Sequence, residues 1–350
     1  MTTLLRPEIG RVAEYTLRER PCRIKLNQNE NPFELPEEIK AEVLRRVAGQ
    51  RWSRYPAFVP AEQIGKVAHF TGWNPEGVLL GNGSNDLLQT LFTCALGPGR
   101  SVVLSQPTFT LYRLLAETLG AAVRDVPMTS AFAFDVEGLI RAAQGASMVV
   151  LCSPNNPTGT QLARADIRRI LASTDALVVI DEAYVHFAGD TVVPLLKGND
   201  RLVVLQTFSK AMGAAGLRFG YALLAPALAR QVAKAKLPYS VNIFTLTAAE
   251  VFMERWDSLR SWIDVIVAER ERVFTALAGL AGVRVHASSA NFLLFETLRK
   301  APGDVFSSLL EKGILIRDVS RYPMLGRGLR VSVGTPGENT EFLNAIREAV

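Results

Sequence analysis

Histidine and cysteine are scarce, with three of each in 350 residues. His69, His186 and His286 are too few and too scattered for a histidine metal centre, so no metal site is expected. Cys22, Cys94 and Cys152 have neither zinc nor disulfide spacing, which excludes a disulfide scaffold and fits a reducing, cytoplasmic compartment. Cys94 and Cys152 lie in apolar runs and read as core residues. No apolar run reaches membrane-spanning length, and the N-terminus lacks the charged-then-apolar pattern of a signal segment. Basic residues cluster no further than Arg45-Arg46 and Arg168-Arg169, which read as solvated helix faces, so a nucleic-acid partner is not expected. The formal net charge of +5 suits small anionic ligands instead. There is no repeat and no low-complexity segment.

What is present is a large apolar fraction. At 48% hydrophobic, the chain can bury more than one core, and two domains are expected. Residues 1–30 read as an irregular N-terminal arm. Residues 31–242 read as a large domain in which strands and helices alternate, opened by the amphipathic helix PEEIKAEVLRRVA (36–48), with Pro36 and acidic residues at its start. Residues 243–350 read as a linker helix (about 243–281) followed by a small α+β domain: VRVHAS, NFLLFE, a helix over 303–312, ILIRDV, LRVSVG and a closing helix.

Three strands of the large domain end in the same unusual way. SMVVLC (147–152) runs into SPNNPTG, ALVVI (176–180) into DEAY, and LVVLQ into TFSK at Lys210. Continuous apolar runs suit strands covered on both faces, and the helical stretches between them imply right-handed crossovers and a largely parallel sheet. Ligands of such sheets bind beyond the carboxyl ends of the strands. Asn156, Asp181 and Lys210 are therefore expected to converge on one crevice. Taken alone, Lys210 also reads as a surface lysine after an edge strand. As one of three polar strand ends it is a buried amine, whose pKa desolvation lowers.

An amine, a carboxylate and an amide at one sheet edge suit pyridoxal phosphate. The ring needs an amine for its aldehyde, a carboxylate facing its nitrogen, donors for its phenolic oxygen and a phosphate cradle. Lys210, Asp181, and Asn156 with Tyr184 match the first three. GNGSND (81–86) reads as a strand end turning into a helix. Gly83, Ser84 and Asn85 would offer the phosphate free N–H groups and a favourable dipole, with Thr207, Ser209 and Arg218 completing the cradle. Ser84 and Asn85 also read as helix caps.

Together these segments resemble the fold-type I pyridoxal-phosphate aminotransferases, and within them the histidinol-phosphate aminotransferases. The matching pieces are LNQNENPF (26–33), RYP (54–56), the turn at 82–86, QPTFTLY (106–112), CSPNNPTG (152–159), DEAY (181–184), TFSK (207–210), LRFGY (217–221), ANFLLF (290–295) and GLRVSVGT (328–335), in order over nearly the whole chain. The resemblance implies an α/β fold: a large domain with a mostly parallel seven-stranded sheet between helices, in which 217–225 runs antiparallel, plus a small α+β domain. It implies a Schiff base on Lys210, which then acts as the proton shuttle, with Asp181 at the ring nitrogen and Tyr184 and Asn156 at the phenolic oxygen. Tyr15, Asn29, Tyr55, Arg317 and Arg330 are placed against the substrate, although Arg317 by itself also reads as a rim residue in a surface salt bridge. The implied substrates are histidinol phosphate with glutamate and 2-oxoglutarate, in histidine biosynthesis. Tyr55 is expected to reach the cofactor phosphate of a neighbouring subunit, which makes the expected assembly a homodimer with shared sites. Phe109 departs from the family, which usually has a tyrosine stacked on the ring: the stack survives and a phenolic hydrogen bond is lost.

Alternatives on the same scaffold are an aromatic amino-acid aminotransferase and a pyridoxal-phosphate phosphothreonine decarboxylase. A cofactor-binding regulatory module is disfavoured, because no stretch is left over for a fused DNA-binding segment. A nicotinamide-dependent oxidoreductase is disfavoured because GNGSND carries Asp86 in place of the third glycine of the dinucleotide fingerprint.

Overall fold

The computed structural model describes residues 4–14, 16 and 19–350. The described residues of the arm are irregular up to a two-residue strand, β1 (Ile24–Lys25). The helices α1 (Glu37–Ala48) and α2 (Ala61–Thr71) follow. In α1, Glu37 and Glu38 sit in the first turn and Arg45 and Arg46 in the last, each complementing the helix dipole, while Ile39, Val43 and Val47 face the core.

Seven strands then form one sheet: β2 (Val78–Asn82), β3 (Ser101–Gln106), β4 (Ala122–Pro127), β5 (Met148–Cys152), β6 (Leu177–Asp181), β7 (Leu202–Thr207) and β8 (Phe219–Leu224). Their order is β2-β8-β7-β6-β5-β3-β4. All neighbours are parallel except β8, which runs antiparallel to both β7 and β2. Every residue of β3, β5, β7 and β8 is buried, as the continuous apolar runs require once helices cover both faces. The edge strand β4 (AVRDVP) is mostly exposed or half-buried and carries Arg124 and Asp125, charges that protect an unpaired edge. The covering helices are α3 (Ser84–Ala95), α4 (Leu111–Thr118), α5 (Val136–Ala143), α6 (Arg164–Ser173), the single turn α7 (Val185–Ala188) and α8 (Pro226–Val232).

The expected helix over 243–281 is two helices, α9 (Ile243–Glu254) and α10 (Trp256–Ala278), broken at Arg255 (φ −106°, ψ 17°). Packing decides the break. α9 is buried almost all round, whereas α10 buries one face and opens with Trp256, whose ring packs against Phe70 (5.3 Å) and His186 (5.1 Å). Three core clusters share α10: Leu259, then Ile263 and Ile266, pack with the large domain, and Val273 and Leu277 with the C-terminal part.

The C-terminal part holds β9 (Val283–Val285), β10 (Phe292–Thr297), α11 (Pro302–Glu311), β11 (Ile314–Leu315), β12 (Arg317–Asp318), β13 (Gly328–Ser332) and α12 (Pro336–Ala349). Its sheet has the order β12-β13-β10-β9 and is antiparallel throughout. The end of the arm belongs here: β1 pairs in parallel with β11, and Ile24 and Leu26 join this core. Cys94, expected in the core, is exposed, because α3 turns Leu87, Leu88, Leu91 and Phe92 inward and the next two positions out. No helix among the described residues is long and apolar enough to cross a membrane.

Candidate active site

The carboxyl ends of β5, β6 and β7 open into a cavity of about 260 Å³, closed on the far side by the arm and by β12 and β13. Asn156, Asp181, Tyr184, Thr207, Ser209, Lys210, Arg218, Ser84, Asn85, Phe109, Asn29, Arg317 and Arg330 all line it. Residues spread over 300 positions of sequence thus meet because a parallel sheet gathers its strand ends on one side.

Lys210 follows β7 by three residues, and its Nζ donates to the Gln28 carbonyl (2.9 Å) and lies 5.9 Å from the centre of the Tyr184 ring. Burial, helped by the nearby Arg330 cation, lowers its pKa to about 8. A substantial fraction is therefore neutral amine near physiological pH.

Asp181 ends β6 with both oxygens engaged: Oδ2 accepts the Tyr112 hydroxyl (2.7 Å) and Oδ1 the Ala183 N–H (3.1 Å). Burial raises its pKa, and the bonds from Tyr112 and Ala183 and the Lys210 cation oppose that rise. The adjacent Glu182 points to the other face, as neighbouring residues of an extended chain do. There it is buried and accepts from Val192 N–H, the Thr191 hydroxyl and Gln206 Nε2, each at 2.6 Å. Burial pushes its pKa up to about 7.

Asn156 turns its Oδ1 to Arg330 Nη1, while Arg330 Nη2 donates to the Asn27 carbonyl (2.7 Å). Arg330 stands directly opposite Arg317 in the β12–β13 register, so two cations from one sheet edge face the cavity. Asn29, in the left-handed region (φ 55°), donates from Nδ2 to the Tyr184 hydroxyl (3.0 Å), and its backbone bonds Ser332 Oγ (2.9 Å) and Asn291 Nδ2 (3.1 Å). It joins the arm to both sheets. Burial raises the pKa of the Tyr184 phenol, keeping it protonated.

At the opposite end Ser84 opens α3, and no side chain caps the helix, so the capping alternative for Ser84 and Asn85 does not apply. Gly83 (φ 76°) sits behind them, buried, and a Cβ there would lie 2.4 Å from Arg218 Nη2. Gly220 of β8 is a second necessity, since a Cβ would meet the Ser84 N at 2.3 Å. Arg218, itself left-handed (φ 58°), donates to Ser209 Oγ (3.3 Å), which also receives the Thr207 hydroxyl (3.0 Å). A helix N-terminus, two hydroxyls and a guanidinium form an anion cradle.

Tyr55 does not line this cavity: it is 81% exposed and stacks on Tyr239 at 4.6 Å. Tyr15 lies outside the described residues. Sequence reasoning missed Tyr112, Tyr322, Asn27 and Gln28, which also line the cavity. Tyr112 lies in the first turn of α4, three positions after Phe109, and the two rings meet edge-on at 5.5 Å. Gln28 acts through its carbonyl, which no side-chain pattern reveals.

The sequence matches the family described as aminotransferase class I and II over residues 23–346. A histidinol-phosphate aminotransferase of Chlorobium phaeovibrioides is 40% identical over 348 residues, covering 98% of this chain and 96% of the relative. One of Chlorobaculum parvum is 37% identical over 349 residues, covering 98% of each. Among solved structures, the histidinol-phosphate aminotransferase of Sinorhizobium meliloti in complex with pyridoxal-5'-phosphate superposes with a TM-score of 0.88 at 24% identity, over 100% of this chain and 98% of that one. The L-threonine-O-3-phosphate decarboxylase of Porphyromonas gingivalis does so with a TM-score of 0.82, also at 24% identity, over 93% of this chain and 98% of that one. At these identities the solved structures speak for the fold alone.

Proposed function

The chain belongs to the class I and II aminotransferases, and we propose that it moves an amino group between L-histidinol phosphate and 2-oxoglutarate, with pyridoxal phosphate as its resident cofactor. The observation that carries this reading is one cavity holding a lysine of lowered pKa, a buried carboxylate and two arginines, in a chain whose full-length relatives bear that activity in their names.

The cavity fits the cofactor by its donor set. Ser84, Asn85, Thr207, Ser209 and Arg218 are offered to the phosphate, and the missing Cβ of Gly83 leaves room for the Arg218 guanidinium beside it. Phe109 offers a ring face, Asn156 and Tyr184 offer donors to the phenolic oxygen, and Asp181 is assigned to the ring nitrogen. When bound, the cofactor supplies an aldehyde that captures amines and a pyridine ring that accepts electron density from the substrate's Cα.

The protein's own part follows from the contacts. Asp181 holds a proton at the ring nitrogen, and the Tyr112 hydroxyl steadies its Oδ2 as a carboxylate despite burial. Neutral Lys210 Nζ takes the proton from the substrate Cα. The Gln28 carbonyl orients that amine. Arg317 and Arg330 bind the phosphate of one substrate and a carboxylate of the other, which suits a site that must accept both in turn. The arm, tied down through Asn29, helps to exclude water from that end.

We further infer a cytoplasmic homodimer in which Tyr55 completes the partner's site. In support, Trp52, Tyr55, Phe58, Val59, Leu237 and Tyr239 stand exposed, an apolar surface of the kind that subunit contacts cover.

A substrate panel on the purified protein tests the reading. 2-Oxoglutarate-dependent turnover of L-histidinol phosphate, faster than that of phenylalanine or tyrosine and without CO2 release, is the expected result. Preferred turnover of an aromatic amino acid, or CO2 release from O-phospho-L-threonine, would replace the proposal with one of the two alternatives on this scaffold.

A further inference from the structure

A second cleft, of about 720 Å³, lies between α7 and α10 and shares no lining residue with the active cavity. One wall is aromatic. The rings of Phe70, His186 and Trp256 pack together at centroid distances of 5.1 to 6.2 Å. Apolar Val185, Ile263 and Val267 extend it. The floor carries Gln206 and Thr191, which are already committed to Glu182.

His186 Nε2 is buried behind this wall, and burial holds the imidazole neutral by lowering its pKa to about 4, so the wall carries no charge. At the rim, Arg260 and Asp264 stand one helical turn apart on α10, line the cleft, and make no ion pair with each other or with any other described residue.

We propose that this cleft is a second small-molecule site, for an aromatic α-amino acid. The Arg260 guanidinium matches the carboxylate and Asp264 the ammonium group, so that the opposite charges one turn apart read a zwitterion. The aromatic wall takes the ring. The volume lies within the range of small-molecule pockets.

Equilibrium dialysis of L-tryptophan against the holoenzyme tests this, with glutamate and 2-oxoglutarate at saturation to occupy the active cavity. One L-tryptophan should bind per subunit, and L-alanine should not. Arg260→Ala, on the exposed face of α10, should weaken binding at least about tenfold, the worth of one charge-assisted contact, with kcat/KM for amino transfer unchanged. Arg317→Ala should leave binding intact. No binding up to about 10 mM, the weak end of small-ligand recognition, would overturn the proposal. So would equal binding of L-alanine, indifference to Arg260→Ala, or loss in Arg317→Ala, which would return the ligand to the active cavity.

Discussion

Replacing Arg330 by alanine tests the active cavity at two levels at once. The guanidinium donates to Asn156 and to the Asn27 carbonyl and faces the cavity beside Arg317. Its loss removes one charge-assisted contact to the substrate anion, worth about 1.5–3 kcal/mol, or roughly 10–100-fold. Because both substrates share the site, kcat/KM should fall by that factor for histidinol phosphate and for glutamate, measured as separate half-reactions by stopped-flow absorbance. The second level is electrostatic. After burial, Arg330 is the largest influence lowering the Lys210 pKa to about 8. Cofactor uptake by the apoprotein needs the neutral amine, so its rate should rise with pH around a midpoint near 8 in the native protein. Without the Arg330 cation the Lys210 pKa climbs, and the midpoint must move to higher pH. Arg330→Lys separates the two effects: it restores the charge and hence the midpoint, but not the forked geometry, so kcat/KM stays low. A folded Arg330→Ala protein with unchanged kcat/KM, or a midpoint that stays or moves to lower pH, refutes the reasoning.

Lys210→Ala should lose nearly all turnover and the visible absorbance of the lysine-bound cofactor; recovery of a borohydride-fixed cofactor on another lysine would refute the assignment. Asp181→Asn should still bind cofactor with kcat lower by several orders of magnitude, and Tyr112→Phe should weaken cofactor binding increasingly as pH falls, because Asp181 then protonates more readily; pH profiles parallel to the native one would deny Tyr112 that role. Glu182 should behave differently from Asp181. Its pKa is raised from 4.5 to about 7 in the folded state, so its contribution to stability is full at low pH and is lost as pH rises from about 4.5 to 7. Glu182→Gln should flatten that decline in a thermal-melting series while retaining most activity, and a kcat loss equal to that of Asp181→Asn would mean that the catalytic carboxylate is misassigned. Mixing inactive Tyr55→Ala and Lys210→Ala proteins and letting subunits exchange should restore activity toward about a quarter of native per subunit, since each mixed dimer keeps one intact site; proven exchange without recovery would exclude shared sites.

Much of this was legible in the one-dimensional chain, for a physical reason. A strand covered on both faces must be apolar throughout, so the points where SMVVLC, ALVVI and LVVLQ turn polar mark strand ends, and parallel crossovers bring such ends to one side. That logic alone directs Asn156, Asp181 and Lys210 to one side of the sheet, where they line one cavity. The Gly83 turn was readable too, because a helix N-terminus after a strand is a local pattern. Contacts between distant segments were not. That Tyr112 bonds Asp181, that the Gln28 carbonyl holds Lys210, and that Arg317 and Arg330 stand in register depend on packing between elements far apart in sequence. The break at Arg255 and the exposure of Cys94 are of the same kind: a helical period says which residues share a face, and only the neighbouring elements say whether that face is covered or must turn. The cleft beside His186 is lined by Phe70, His186 and Trp256 from three separate helices, so it too depends on packing between elements far apart in sequence, and no local pattern in the chain marks it.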